Sequence, residues 1–301
     1  MWDARFRTDI RPVPGQEDGV RFVMASFLWL LTTALLAVAV PSVWAQKNVI
    51  DRDGYTAFAA DAAKDPRLQQ AVAGELTTQV QTLASRNGTE IDADRVRMAA
   101  NFYTASAAFP GQFAKANEIA HTWMFTDRVS RDSEGAWVID LGPMLSDSSF
   151  QQTLDQFNIE PPQTLTVPIA SSAPESLQPG KLRPAAVWGP WVSVGAAILA
   201  GVFALLTLAA ARARGKALAA LGVSALLVGA AGWAGLEVAR RHLNDALNHT
   251  SGDLRQIADV MVGHAISGLH QWLNLTLAAG GGLVVFGVLV AMLGGLRRKA
   301  H

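Results

Sequence analysis

Four stretches of the chain are apolar almost without interruption, whereas elsewhere apolar residues recur at every third or fourth position among polar ones. The uninterrupted stretches run approximately 22–45, 187–211, 217–238 and 273–296. About 20 such residues, rising 1.5 Å each, cross roughly 30 Å of hydrocarbon, so each stretch is predicted to be a transmembrane helix. Tryptophan marks their edges at Trp44, Trp188, Trp191, Trp233 and Trp272, where amphipathic rings favour the headgroup layer. Trp29, near the middle of the first stretch, is the exception.

Basic residues close to the ends of the spans set the orientation. Arg5, Arg7, Arg11 and Arg21 precede the first span, Arg212, Arg214 and Lys216 fill the turn between the second and third, and Arg297, Arg298 and Lys299 follow the fourth. All three groups fall on one side, which the positive-inside rule makes the cytoplasm; Arg240 and Arg241, beyond the third span, dissent. The expected order is a cytoplasmic tail (1–21), the first span (22–45), an extracytoplasmic domain (46–186), two spans (187–211 and 217–238), an extracytoplasmic amphipathic segment (239–272), the fourth span (273–296) and a cytoplasmic tail (297–301). The first span has a competing reading, because Val43-Trp44-Ala45 has small residues near the spacing that a signal peptidase accepts. Against it stand the length of the apolar run and the acids Asp3, Asp9, Glu17 and Asp18 among the leading arginines.

The polar region 46–186 is predicted to be a mostly α domain. Asp53 is expected to cap a short helix through Ala63, and Asp65-Pro66 to open a helix ending near Asn87-Gly88 with Leu68, Val72, Leu76, Val80 and Leu83 on one face. A third helix starts around Asp92 or Asp94, with Val96, Ala99, Phe102 and Tyr103 inward. A fourth starts at Pro110, with Phe113, Ala116, Ala120 and Trp123 on its apolar side. Two β-prone runs follow, 137–141 and 165–169, separated by a helix from Pro143 to about Phe157, a spacing that allows a small parallel two-stranded element. A Ser- and Pro-rich stretch, 171–186, leads back to the membrane.

Composition narrows the function classes. Half of the residues are apolar and only 17% are charged, against about 25% in soluble domains, in keeping with a membrane protein. The net charge is zero and no basic block occurs, so nucleic acid is not an expected partner. The chain has no cysteine, which removes disulfides, thiol catalysis and thiolate metal sites.

Several segments, taken in order, carry a resemblance: Val49-Ile50-Asp51-Arg52-Asp53-Gly54-Tyr55, Asp65-Pro66-Arg67-Leu68-Gln69-Gln70-Ala71-Val72-Ala73, Ala116-Asn117-Glu118-Ile119-Ala120-His121 and Val138-Ile139-Asp140-Leu141-Gly142-Pro143. Together they resemble a family of uncharacterised actinobacterial integral membrane proteins. The resemblance covers nearly the whole chain and implies an early span, an outer domain, three closing spans and a cell-envelope setting, with no activity attached. Where that family commonly has a basic residue, this chain has Glu118.

The search for chemistry yields little. Glu118 and His121 stand three residues apart on one helical face, as metal ligands would, but no second Glu-x-x-His occurs to complete a di-metal site. His121 and Asn117 are instead expected to bond to backbone or to a neighbouring element. His242, His249, His264 and His270 cluster in the third loop, where protonation near pH 6 is able to switch an interface, although their spacings do not form one metal face. No nucleophile elbow and no His-Glu-x-x-His motif occurs, and Gly280-Gly281-Gly282 lies inside a span. The spans hold no ionisable residue along which a substrate or proton would pass; Glu237, at the edge, has Arg240 and Arg241 within one turn. No catalytic residue, cofactor or metal is therefore expected.

What the spans do contain is small residues at four-residue spacing, Ala231, Gly235 and Ala239 in the third and Gly287, Ala291 and Gly295 in the fourth, which permit close helix approach within the chain or to a partner. Residues 253–272 carry Leu254, Ile257, Ala258, Met261, Val262, Ala265, Ile266, Leu269 and Trp272 at intervals of three and four. With only Arg255 against Asp253 and Asp259, that stripe is expected to lie on the helices of 54–126 and not on the bilayer. The sequence thus predicts a non-enzymatic envelope protein in the lipid bilayer whose outer domain binds a protein partner or a lipid-like ligand, as an accessory subunit of a membrane complex. Asn117, His121, Met261, Gly287, Ala291 and Gly295 are the candidate interaction residues. An envelope-modifying enzyme with scattered site residues and a transport component are the alternatives.

Overall fold

The computed structural model describes residues 16–86, 88, 91–126, 138–140, 151, 166–168, 180–247 and 252–299. In chain order, α1 (Gln16–Ala45) passes into a π-helical turn (Gln46–Ile50), followed by α2 (Arg52–Ala62), α3 (Pro66–Arg86), α4 (Ala93–Thr104) and α5 (Phe109–Phe125). After two short strands come three long helices, α6 (Arg183–Ala210), α7 (Arg214–Leu247) and α8 (Gly252–Lys299). Four helical stretches, Arg21–Ile50, Arg183–Ala210, Arg214–Asp245 and Gly252–Gly294, are long and apolar enough to cross a membrane. By length and composition, the chain is a multi-pass helical membrane protein. From Gly252 the amphipathic segment and the fourth span are one unbroken helix, whereas 239–247 continue α7, so the change near residue 272 is a change of surface and not of backbone.

The chain divides into two compact units. One takes α1 as far as Ala39, Ala196–Ala231 and the chain from Leu273; the other takes Val40–Gly195 and Gly232–Trp272.

In the second unit the short helices start and stop where local chemistry dictates. Asp51, not Asp53, caps α2: its backbone is extended and its carboxylate accepts from the Gly54 amide at 2.8 Å, while Asp53 lies in the first turn. Asp65 accepts from the Arg67 amide at 2.8 Å beside Pro66, and α3 ends just before Gly88, whose φ of 66° suits a residue without Cβ. Asp92 caps α4 through the amides of Asp94 and Arg95.

The core of this unit gathers Ala62, Ala63, Leu68 and Phe109 with Val260 of α8, and Val72, Tyr103, Phe113 and Met261 pack against it. The amphipathic segment therefore does lie on the short helices: Met261 of the predicted stripe belongs to that packing, whereas the buried Val260 is not one of the stripe's predicted positions. Two further contacts seat it. The Asp253 carboxylate occupies the space that a side chain at Gly74 would fill, and Gln256 Nε2 reaches the Arg67 carbonyl at 3.4 Å. Leu254, expected in the stripe, is exposed.

Other inward assignments are also corrected. Leu76 and Val80 are exposed on α3, whose covered positions are Leu68, Ala71, Ala73 and Thr77; on α4, Phe102 is exposed and Ala100 and Thr104 are buried. Trp44 is buried beside Gly268 and does not lie open at an interface. Val138–Asp140 and Thr166–Pro168 pair antiparallel, Ile139 opposite Val167, so the parallel arrangement is not adopted. Three residues a side form a local ladder and do not by themselves establish a β element. Apart from residue 151, the expected helix from Pro143 to about Phe157 lies outside the described residues, as do the Ser- and Pro-rich stretch up to residue 179 and the arginines of the leading tail up to Arg11.

In the first unit, glycines of α7 and α8 let two backbones meet. A Cβ at Gly222 would stand 2.6 Å from the Gly280 carbonyl, one at Gly280 would stand 2.9 Å from the Gly222 carbonyl, and Gly215 and Gly287 show the same reciprocal closeness at 2.7 Å. Gly287 and Ala291 thus pack within the chain, whereas Gly235, with Ala231 and Ala239 on an exposed face, has nothing within 4 Å of its Cβ position. Hydrogen bonds tie α1 to α7: Trp29 Nε1 donates to the Ala220 carbonyl at 2.8 Å, and Thr33 Oγ1 to Ser224 Oγ at 2.8 Å. The mid-span position of Trp29 follows from that bond, since an indole N–H in an apolar setting needs an acceptor.

Candidate functional site

Two of the four resembling segments meet where the π-helical turn joins α2 and α5. The turn ends at Asp51, whose extended backbone leaves carbonyls without a helical partner. His121 takes one of them, its Nε2 lying 3.0 Å from the Val49 carbonyl, and its ring stacks on Phe125 at 4.3 Å between centroids and leans on Tyr55 at 5.1 Å. Tyr55 donates to Asn117 Oδ1 at 3.2 Å, and Asn117 Nδ2 donates to the Phe113 carbonyl at 2.9 Å. Burial pushes the Tyr55 phenol above its ordinary pKa, so it remains a donor at every physiological pH. Gly54 must be glycine, because a Cβ there would overlap the Lys47 carbonyl.

Glu118 does not join His121. It faces Lys115 at 2.9 Å and Arg52 at 3.7 Å, and among the described residues no three His, Asp or Glu side chains come together as metal ligands would. Asn117 and His121 act as expected toward backbone and a neighbouring element, and the arrangement is a joint between the π-helical turn, α2 and α5.

The third-loop histidines are dispersed. His264 Nε2 lies 3.2 Å from Asp61, which also accepts from Lys64 at 2.9 Å; the bond from Lys64, ahead of the His264 charge, holds the Asp61 carboxyl below its usual range. His270 stacks on Trp233 at 3.8 Å, and His242 bonds to the Val238 carbonyl at 3.0 Å. His249 lies outside the described residues. Glu237 faces Arg241 at 3.7 Å, the local pair that its spacing predicts.

Two surfaces of the second unit remain open, and neither was singled out from the sequence. Leu76 and Val80 on α3, and Met98 and Phe102 on the adjoining α4, stand one helical turn apart and are exposed, Met98 by 65% and Phe102 by 58%. Both pairs lie outside the apolar spans, where water would otherwise meet them. The second surface is a polar cleft of about 470 Å³ lined by Arg67, Arg240, Asn244, Arg255 and Asp259. Arg67 is bound to Asp65 at 2.7 Å, and Arg255 to Asp259 at 3.0 Å. Gly295 lies on α8, its helical position alone being described. No described protein family, curated protein or solved structure matches the chain.

Proposed function

We propose that the chain is a non-enzymatic cell-envelope membrane protein whose second unit, with the short β ladder completing it, lies outside the cytoplasm and binds a protein partner, as an accessory subunit of a membrane complex. The actinobacterial envelope setting implied by the resemblance belongs to the same proposal. The observation that carries it is the exposure of two apolar pairs at helical spacing, Leu76 with Val80 on α3 and Met98 with Phe102 on α4. Residues at core-like helical spacing that the chain itself leaves uncovered mark a contact surface, since each Å² of apolar area removed from water contributes about 25 cal/mol. A lipid-like ligand is a second reading, favoured by the arginines of the polar cleft, which suit an anionic group.

Met98→Asp with Phe102→Asp tests the first reading, because both side chains are exposed and their loss leaves the core in place. After cross-linking in native membranes, a stoichiometric partner should be retained by the wild type and lost by the double variant at unchanged melting temperature. Capture that survives the double substitution, or a wild type that retains no partner, overturns the reading. Compartment reporters near residues 100 and 255 should score outside, and those near 10, 214 and 300 inside; a cytoplasmic score at 100 reverses the orientation.

A further inference from the structure

Among the described third-loop histidines, His242 meets a carbonyl of its own helix and His270 an indole, whereas His264 meets a carboxylate on another helix. Its Nε2, on α8, lies 3.2 Å from Asp61 Oδ2 of α2, and its ring packs on Phe58, also of α2, at 5.1 Å between centroids. The other Asp61 oxygen, Oδ1, accepts from Lys64, just past α2, at 2.9 Å. The carboxylate thus divides its two oxygens between an ammonium and an imidazole. Around this pair, Asp65 is bound to Arg67 of α3, Arg255 and Asp259 of α8 are bound to each other, and Arg240 of α7 lines the polar cleft beside Gly263. With 35% of the His264 side chain exposed, protons reach the ring from solvent.

The strength of this contact depends on one proton. A neutral ring donates a single N–H to Asp61; the ring protonated on both nitrogens keeps that donor and adds a full positive charge, so the bond becomes charge-assisted from both sides. Imidazole is the side chain that ordinarily changes charge between about pH 5 and 8. Asp61 stays ionised across that interval, because the bond from Lys64, ahead of the His264 charge, holds its carboxyl below the usual range. Asp65 is held low in the same way, by its bonds from Arg67 first and the His264 charge last. The charge that changes at this contact is therefore that of His264. The added attraction is present when the ring is charged and is lost as the pH rises through its titration.

We propose that His264 and Asp61 form a pH-sensitive clamp, which tightens the amphipathic start of α8 on α2 in mildly acid surroundings and slackens as the pH rises through the imidazole range. The clamp acts on the segment that also sends Val260 into the core and Met261 against it. Those apolar contacts do not titrate, so a slack clamp loosens the segment and leaves it attached. The proposal depends neither on a protein partner nor on which compartment the second unit faces.

The test is amide hydrogen exchange, read by mass spectrometry on the full chain in a neutral detergent, at about pH 5.5 and about pH 8 with exposure times scaled to the intrinsic rate. Peptides covering 257–268 of α8 should be about two- to fivefold better protected at the acid pH, the scale of a largely exposed ion pair. His264→Gln keeps a donor without the charge, and Asp61→Asn removes the carboxylate at an exposed position; each should bring the ratio to about one, and the double variant should add nothing further. His242→Gln, at a histidine bonded to its own helix, should leave the wild-type ratio in place. Melting temperatures at the alkaline pH identify the variants that are folded. A wild-type ratio of about one overturns the clamp without reference to any variant. So does a ratio that survives His264→Gln or Asp61→Asn in a folded chain, or one that is lost in His242→Gln.

Discussion

The two units bury their contacts by different physics. In the second, bulk does the work: Phe109 and Leu68 are covered almost completely, Val260 arrives from a helix far along the chain, and the contact is made by side chains of unequal size fitted together. In the first, the α7–α8 contact depends on side chains that are missing. Gly215, Gly222, Gly280 and Gly287 bring carbonyls against Cα carbons, and hydroxyl and indole groups supply the remaining bonds. Apolar side chains gain nothing by leaving lipid for one another, so close approach and hydrogen bonding replace burial there. In water the order is reversed, and area removed from solvent dominates.

The contrast is sharpest for substitutions that are mild in one unit and damaging in the other. Phe109→Ala should cost about 3–5 kcal/mol, the largest loss, read as an early unfolding step of the second unit in thermal melts. Gly222→Val should cost about 1–3 kcal/mol by overpacking, whereas Gly235→Val, with open space at its Cβ, should stay within about 0.5 kcal/mol. Equal melting temperatures for the two glycine variants would remove the close-approach argument. Trp29→Phe keeps the ring and deletes the bond to Ala220, and should cost roughly 0.6–1.7 kcal/mol, the measured scale for such bonds between membrane helices.

The smallest effect is expected from pH. Bonds from Lys64 hold the Asp61 carboxyl below its ordinary value, and bonds from the Arg67 side chain, then its amide, do the same for Asp65. A lowered folded pKa contributes stability above the unfolded value, about 3.9, that is lost as the pH falls through the folded one. Both groups are largely in water, so screening keeps the effect small. The melting temperature should decline slightly below about pH 4, and Asp61→Asn with Asp65→Asn should flatten that decline.

Features governed by neighbours in the chain were legible in the sequence. The start of α3 at Pro66, its stop before Gly88 and the four apolar helices all follow from caps and length, whereas periodicity placed Met261 inward on α8 but passed over its neighbour Val260 and wrongly included Leu254. The cap at Asp51 was displaced to Asp53 because both carboxylates are competent acceptors and only backbone geometry, φ −69° and ψ 129° at Asp51, separates them. Leu76, Val80 and Phe102 were misplaced for a different reason: periodicity says which residues share a face, and not whether the chain has anything to lay against it. At the joint, the backbone bonding of His121 was foreseeable from the absence of further ligands. Its acceptor at Val49 depends on a π-helical turn that no local signal announces. The glycine contacts at Gly215 and Gly222 recur at seven residues, an interval that the four-residue pattern of small side chains does not reveal.

That sevenfold recurrence carries an ambiguity of alignment. Gly215, Gly222 and Gly229 on α7 match Gly280, Gly287 and Gly294 on α8 in interval, so sliding one helix by seven residues would still set glycine against glycine. Glycine permits the approach without choosing the alignment. The choice falls to an asymmetric element, the Leu277 side chain seated where a Cβ at Gly229 would lie 2.6 Å away, for which a shifted pairing substitutes Val284, a shorter side chain that leaves part of the hollow unfilled. A large residue in a small hollow thus acts as the key in a keyway, and Leu277→Gly is the change that would free the pair to settle one heptad out of step.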